Sequence, residues 1–176
     1  MTAKLKRGIT KVKDPGSALT HFIAMILAII AAIPLLSKAG HDSGHMRISA
    51  LAIFILSMIG LYAASTIYHT LDISPKINKL LRKIDHMMIF ILIAGTYTPV
   101  CMIVLGDKTG WTMLTLVWGI AIVGILINAL WITCPKWFSS LIYIAMGWVC
   151  ILAITKILSS MPRAGFMWLL AGGIIY

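Results

Sequence analysis

Two apolar stretches of this sequence meet at side chains able to bind a cation or move a proton. Ala-Ala-Ser65-Thr-Ile-Tyr-His69 closes one stretch, and Lys83-Ile84-Asp85-His86 opens the next. Four residues apart on a helix, Ser65 and His69 put a hydroxyl and an imidazole on one face, a turn apart. Asp85 comes from a second segment at the same depth. An imidazole, a hydroxyl and a carboxylate converging beside lipid suit a zinc ion or the water that it activates. A plainer reading stays open beside it. Polar residues at helix ends reach the headgroup zone, where Asp85 can complement a helix start or pair with Arg82 or Lys83, and Ser65 can bond back to its own helix. His86 lies about 100° around the helix from Asp85 and is expected to support the cluster or bond between helices. His21, near the inner end of the first apolar run, is a second candidate supporting group. His41 and His45 share the same spacing, but Asp42 and Gly44 mark that segment as a solvated loop.

The elements that must position these groups follow from composition. Of 176 residues, 60% are hydrophobic and 11% charged, with a mean hydropathy of +0.98. An ordinary soluble domain carries about 25% charged residues. A soluble enzyme, a disordered tail and a secreted disulfide scaffold are therefore excluded. Five runs reach the roughly 20 residues that a crossing helix needs: 18–36, 48–71, 84–105, 111–133 and 137–158. A sixth, over 166–176, has about half the length of a span. The runs are continuously apolar rather than alternating, which predicts helices and not barrel strands. The expected fold is all-α: a polytopic transmembrane helical bundle forming a single membrane domain over 1–176, with its basic turn at 72–83 anchoring against headgroups. No run shows the repeated polar face or the pair of broken helices typical of a conduction path.

The net charge of +10 comes from 15 Lys and Arg against five Asp. Five of the basic residues precede the first run, and counted over alternate loops the excess falls on the amino-terminal side. This predicts a cytoplasmic amino terminus and accounts for most of the charge without nucleic acid. The first run is too long for a usual signal-peptide core and is read as an uncleaved span. Cys101, Cys134 and Cys150 show no metal-binding spacing and are expected to behave as small hydrophobes. Asn128 is expected to bond between helices.

Taken together, Leu61-Tyr-Ala-Ala-Ser-Thr-Ile-Tyr-His69, Ile84-Asp-His86, Ala94-Gly-Thr-Tyr-Thr-Pro99 and Thr20-His21 closely resemble the hemolysin III family, part of the progestin and adipoQ receptor class. The resemblance spans essentially the whole chain. It implies seven helices, an inside amino terminus and a zinc site. His69 matches the zinc-ligating His of the family's second helix, Ser65 its Ser partner, and Asp85 the carboxylate that holds the zinc-bound water. The other two ligands of the family are a His-x-x-x-His pair on its last helix. That pattern has no match after Asp85 here, so by this resemblance the chain looks C-terminally incomplete, and residues 1–176 alone are expected to be inactive and to hold zinc poorly.

The leading functional expectation is a zinc-dependent hydrolase of lipid amides or esters, with Asp85 and Ser65 catalytic and His69 on the metal, serving membrane homeostasis or cytolysis in a bacterial cell membrane. The alternatives are a non-catalytic membrane regulator or a pore-forming hemolysin with a structural metal. Membrane lipids are the expected partners, and nucleic acid is not.

Overall fold

In a hydrocarbon surround a lone segment can satisfy its backbone N–H and C=O groups only within itself, so each long apolar run forms a helix. The structure, a computed structural model, describes residues 12–42, 45–131 and 136–175. In chain order the helices are α1 (Pro15–Asp42), α2 (His45–Thr70), α3 (Pro75–Pro99), α4 (Lys108–Leu130), α5 (Lys136–Trp148), α6 (Ile154–Ser160) and α7 (Arg163–Ile175). A π-helical segment, Val100–Leu105, prolongs α3, and a 3-10 segment, Val149–Ala153, joins α5 to α6. Five rods are long and apolar enough to cross a membrane: Pro15–Gly40, His45–Thr70, Pro75–Leu105, Lys108–Leu130 and Trp137–Ser160. No strand occurs among the described residues, and the all-α expectation holds.

The distribution of side chains is that of a membrane protein. Ile33, Leu56 and Trp168 are 68%, 67% and 80% exposed, whereas Ser57, Ser65, Thr98 and Ser139 are buried. Apolar surface on that scale is a liability in water and is ordinary against lipid tails, where small and polar residues mediate helix contact. The core centres on α3: Phe90, Ile93 and Ala94 pack with Cys101 and Leu105, with Met113, Val117 and Ala121 of α4, and with Met146 of α5. Close approach is set by missing side chains. A Cβ on Gly95 would lie 2.2 Å from Ser57 Oγ of α2, and one on Gly124 would lie 2.4 Å from the Phe90 ring. The α2–α3 contact that Gly95 permits also brings the ends of those helices together, where the candidate chemistry lies.

Several expected boundaries are corrected. The third span begins at Pro75 rather than near 84. Ser74 caps it by accepting the Ile77 N–H, and Pro75 sits at the first helical position, where its missing N–H is harmless. Lys76, Lys79, Arg82 and Lys83 therefore lie on the first turns of α3, not in a turn. Asp85 is well inside the helix and does not complement its start. His41 and Asp42 belong to α1 and His45 opens α2, where a loop was expected; residues 43–44 lie outside the described residues. So do 132–133, the expected end of the fourth span, and Tyr176.

Two spans are also interrupted, against expectation. Pro99, which has no N–H to give to the helical ladder, immediately precedes the π segment. In the fifth span the cause is a side chain inserted into the helical ladder. Tyr97 Oη shares its proton with the carbonyls of Met146 and Gly147, both at 2.9 Å, and accepts the Cys150 N–H at 2.9 Å.

Asp107 ties these irregular segments together. It follows Gly106, whose φ of 58° closes the π segment, and its carboxylate accepts the Gly110 N–H that starts α4. It also pairs with Lys156 of α6, which donates to Thr109 Oγ1 at 2.9 Å. The Lys156 hydrogen bond, seconded by the Gly110 N–H, holds the Asp107 carboxyl below its ordinary pKa. A depressed folded-state pKa contributes stability that is present above the unfolded value and is lost as pH falls through the folded one. Thermal unfolding in detergent should therefore show Asp107→Asn less stable than the parent at neutral pH, with the gap closing below the ordinary carboxylate range. A gap independent of pH would remove the ion pair from the account.

Candidate functional site

The penultimate turn of α2 and the third turn of α3 bring two of the predicted residues, Ser65 and Asp85, into contact. Ser65 is buried on α2, and its hydroxyl donates to Asp85 Oδ1 of α3. The direct contact joins two residues 20 positions apart. It also changes the role open to Ser65. A hydroxyl whose proton is committed to a carboxylate holds that carboxylate in place and is not free to stabilise an oxyanion.

His69 lies one turn beyond Ser65, and its hydrogen-bond partner is not Asp85. Its Nδ1 lies 3.0 Å from Asp14 Oδ2, on the segment leading into α1. That segment is held along the end of α2 by its backbone: the Asp14 N–H donates to the His69 carbonyl at 2.9 Å, and the Lys13 N–H to the Thr70 carbonyl at 3.4 Å. These carbonyls belong to the last turn of α2, which has no helical partner for them. The Lys13 ammonium sits 3.5 Å over the Tyr68 ring, a cation–π contact that fixes the same segment. His21, from α1, stacks on His69 with ring centroids 5.6 Å apart and planes 18° from parallel. On its other side His21 meets Tyr62 at 6.1 Å. His86 bonds between helices, though through its backbone: its carbonyl accepts from Tyr143 Oη of α5 at 2.8 Å. Asn128 accepts from Ser139 of α5 at 3.1 Å.

Sequence reasoning missed Asp14. It stands 55 residues before its partner, in a run whose lysines drew attention to orientation instead. The only signal was Asp14-Pro15 at the head of an apolar run, a helix-start signature with nothing in it that points to His69.

Imidazole and carboxylate are donors of the type that zinc takes. An imidazole whose Nδ1 meets a carboxylate leaves Nε2 as the ligating nitrogen, the arrangement that metal-binding histidines use. Among the described residues no hydrogen bond engages Nε2, and Asp85 adds a carboxylate fixed by Ser65. The count falls short of a catalytic site, which takes three protein ligands: among the described residues no group of three or more His, Cys, Asp or Glu could hold a metal ion. An apolar groove along α4, lined by Leu116, Gly119, Val123 and Ile142, contains none of these residues.

Comparison with known proteins gives matches over nearly the whole chain. The family described as haemolysin-III related matches residues 9–176. Hemolysin-3 of Bacillus cereus is 40% identical over 177 aligned residues, covering 100% of this chain and 80% of the relative. A hemolysin-3 homolog of Bacillus subtilis (strain 168) is 36% identical, covering 93% of this chain and 76% of the relative. No solved structure matches the chain.

Proposed function

This chain belongs to the haemolysin-III-related family, and from that premise we propose that it is a zinc-dependent hydrolase of lipid amides or esters that serves membrane homeostasis. Its Ser65, His69 and Asp85 belong to the proposed site. One observation carries the reading: a buried serine fixes a carboxylate across two helices, one turn from an imidazole whose Nδ1 is already held.

In this proposal His69 would ligate zinc through Nε2, together with ligands other than Ser65 and Asp85. When bound, zinc supplies Lewis acidity and a lowered pKa for water. The chain's own residues do the rest. The Ser65 hydroxyl holds Asp85 Oδ1, so Oδ2 is the oxygen available to accept a proton from water. The water oxygen bonds to the lipid carbonyl carbon, the carbon–nitrogen or carbon–oxygen bond to the leaving group breaks, and Asp85 passes the proton to the departing group. The lipid enters sideways between helices whose outer faces are already apolar. The experiment is zinc content and lipid-amide or ester hydrolysis measured on the full-length gene product; protein purified without zinc and inert toward both lipid classes would overturn the proposal.

A second reading, a pore, is favoured by the relatives' name and by the interruptions at Val100–Leu105 and Val149–Ala153. Irregular backbone at membrane depth commonly lines a path or a site. Single-channel conductance in planar bilayers tests it.

The orientation belongs to the same proposal: a multi-pass cell-membrane protein with its amino terminus in the cytoplasm, as the loop charges indicate. On a cysteine-free background, Ser43→Cys is expected to label from outside and Lys76→Cys only from inside. Labelling of both from one side would reverse or break that topology.

A further inference from the structure

We propose that the lipid-facing side of α4 binds one anionic phospholipid, with the phosphate at Lys108 and an acyl chain running past Gly119 and Val123. Three clefts of about 470, 390 and 470 Å³ open along this side. Leu116 lines all three, and Lys108 and Thr112 line two, so they form one continuous groove. From Lys108 to Gly119 a helix rises about 16 Å, the depth of one leaflet in a hydrocarbon core about 30 Å thick. The inference does not depend on the zinc reading. None of Ser65, His69 and Asp85 lines the groove, and its mouth lies beyond the far end of α3.

The body of the groove suits hydrocarbon. Its hydroxyl protons are already committed: Thr112 donates to the Lys108 carbonyl at 2.8 Å, and Thr115 to the Trp111 carbonyl at 2.9 Å. A polar ligand would find little to bond there, whereas Val123 and Ile142 offer apolar walls. Gly119 keeps the channel open, since a Cβ there would meet nothing within 4 Å.

The mouth is cationic. Asp107, next to Lys108, is paired with Lys156, so its charge is already met. Among the described residues no ion pair engages the Lys108 ammonium. Lys108 stands exposed at the first residue of α4, and Trp111, 49% exposed, follows one turn along the same face. An ammonium above an indole, at the head of an apolar channel, matches the polar level of a lipid: the cation meets the phosphate, and the amphipathic ring sits at the interface. A zwitterionic headgroup gains less. Its own cation would seek a carboxylate, and Asp107 is committed to Lys156.

Native mass spectrometry of the full-length protein, released from detergent after titration with dioleoyl phosphatidylglycerol or dioleoyl phosphatidylcholine, tests this. One phosphatidylglycerol per chain should be held about fivefold more tightly than phosphatidylcholine, the effect of one lysine at the membrane surface. Lys108→Gln should remove that preference, and Lys76→Gln, at the other end of the bundle, should leave it intact. Gly119→Phe should fill the groove and abolish retention of the bound lipid without lowering the melting temperature. Should that variant fail to fold, Val123→Trp, at a position 55% exposed, blocks the same channel. Equal retention of the two lipids by the parent would overturn the proposal, as would a preference that survives Lys108→Gln. Lipid retained by the folded blocking variant would place binding elsewhere and overturn it too. A parental dimer that Gly119→Phe dissociates would give the groove to a second copy of the chain, through the small residues Thr112, Thr115 and Gly119, and would equally defeat it.

Discussion

Under the zinc-hydrolase proposal, full-length protein carrying His69→Ala is expected to bind only background zinc, against about one ion per chain in the parent, while inserting in the membrane as before. Zinc affinity depends on the number of ligands and how well they are held, and a site with three protein ligands tolerates the loss of one poorly. Insertion depends on the hydropathy of each span and its flanking charges, and α2 keeps both when one imidazole near its end is removed. Asp85→Asn should behave differently. The amide cannot accept a proton as the carboxylate does, so hydrolysis is expected to fall about 10²–10⁴-fold, the range for a lost general base, with zinc largely retained. The two variants therefore separate ligand from base. Atomic absorption on the purified proteins, with turnover on a lipid amide, reads both. Undiminished zinc in His69→Ala would remove the metal from α2, and unchanged turnover in Asp85→Asn would remove the base from α3.

The positions of these residues were legible in the sequence to different depths, for physical reasons. The spans were visible because an unbroken apolar run of about 20 residues matches the hydrocarbon thickness and little else in a folded chain. Ser65 and His69 were legible as a pair because a helix turns four-residue spacing into adjacency. Asp85 could be brought to the same region by chain reversal alone, but its hydrogen bond to Ser65 requires the α2–α3 spacing that Gly95 and Ser57 set, and no local pattern announces a close helix crossing. The start of α3 was misread because Ser74-Pro75 followed by lysines looks like a basic turn, whereas serine before proline is also a helix cap. Asp14 was illegible as a partner of His69. Its placement comes from a backbone strap between segments far apart in the chain, and charge counting assigns such a segment to the membrane surface.

Tyr97 shows the same limit with a larger energetic consequence. Within Gly-Thr-Tyr-Thr-Pro it served as a family mark, and its hydroxyl turns out to be the bonding partner of three backbone groups on the fifth span. Tyr97→Phe keeps the ring's packing and removes only that partner. A single hydrogen bond inside a membrane protein contributes about 0.6 kcal/mol on average and rarely more than about 1.7. Here the Met146 carbonyl and the Cys150 N–H lose their partner together, in surroundings without water to replace it, while the Gly147 carbonyl keeps the Cys150 Sγ–H at 3.3 Å. Part of the loss is recoverable, since the Cys150 N–H can turn to the Met146 carbonyl four residues back and close the interruption as ordinary helix. The expected net destabilisation is about 2 kcal/mol, above the range of one bond and below two fully unsatisfied groups. Denaturant unfolding in detergent measures it, and amide exchange at Cys150 reports whether the helix has closed. A loss under about 0.5 kcal/mol with unchanged exchange would mean that the interruption is held by packing around Val149 and Ala153 and not by the Tyr97 hydroxyl.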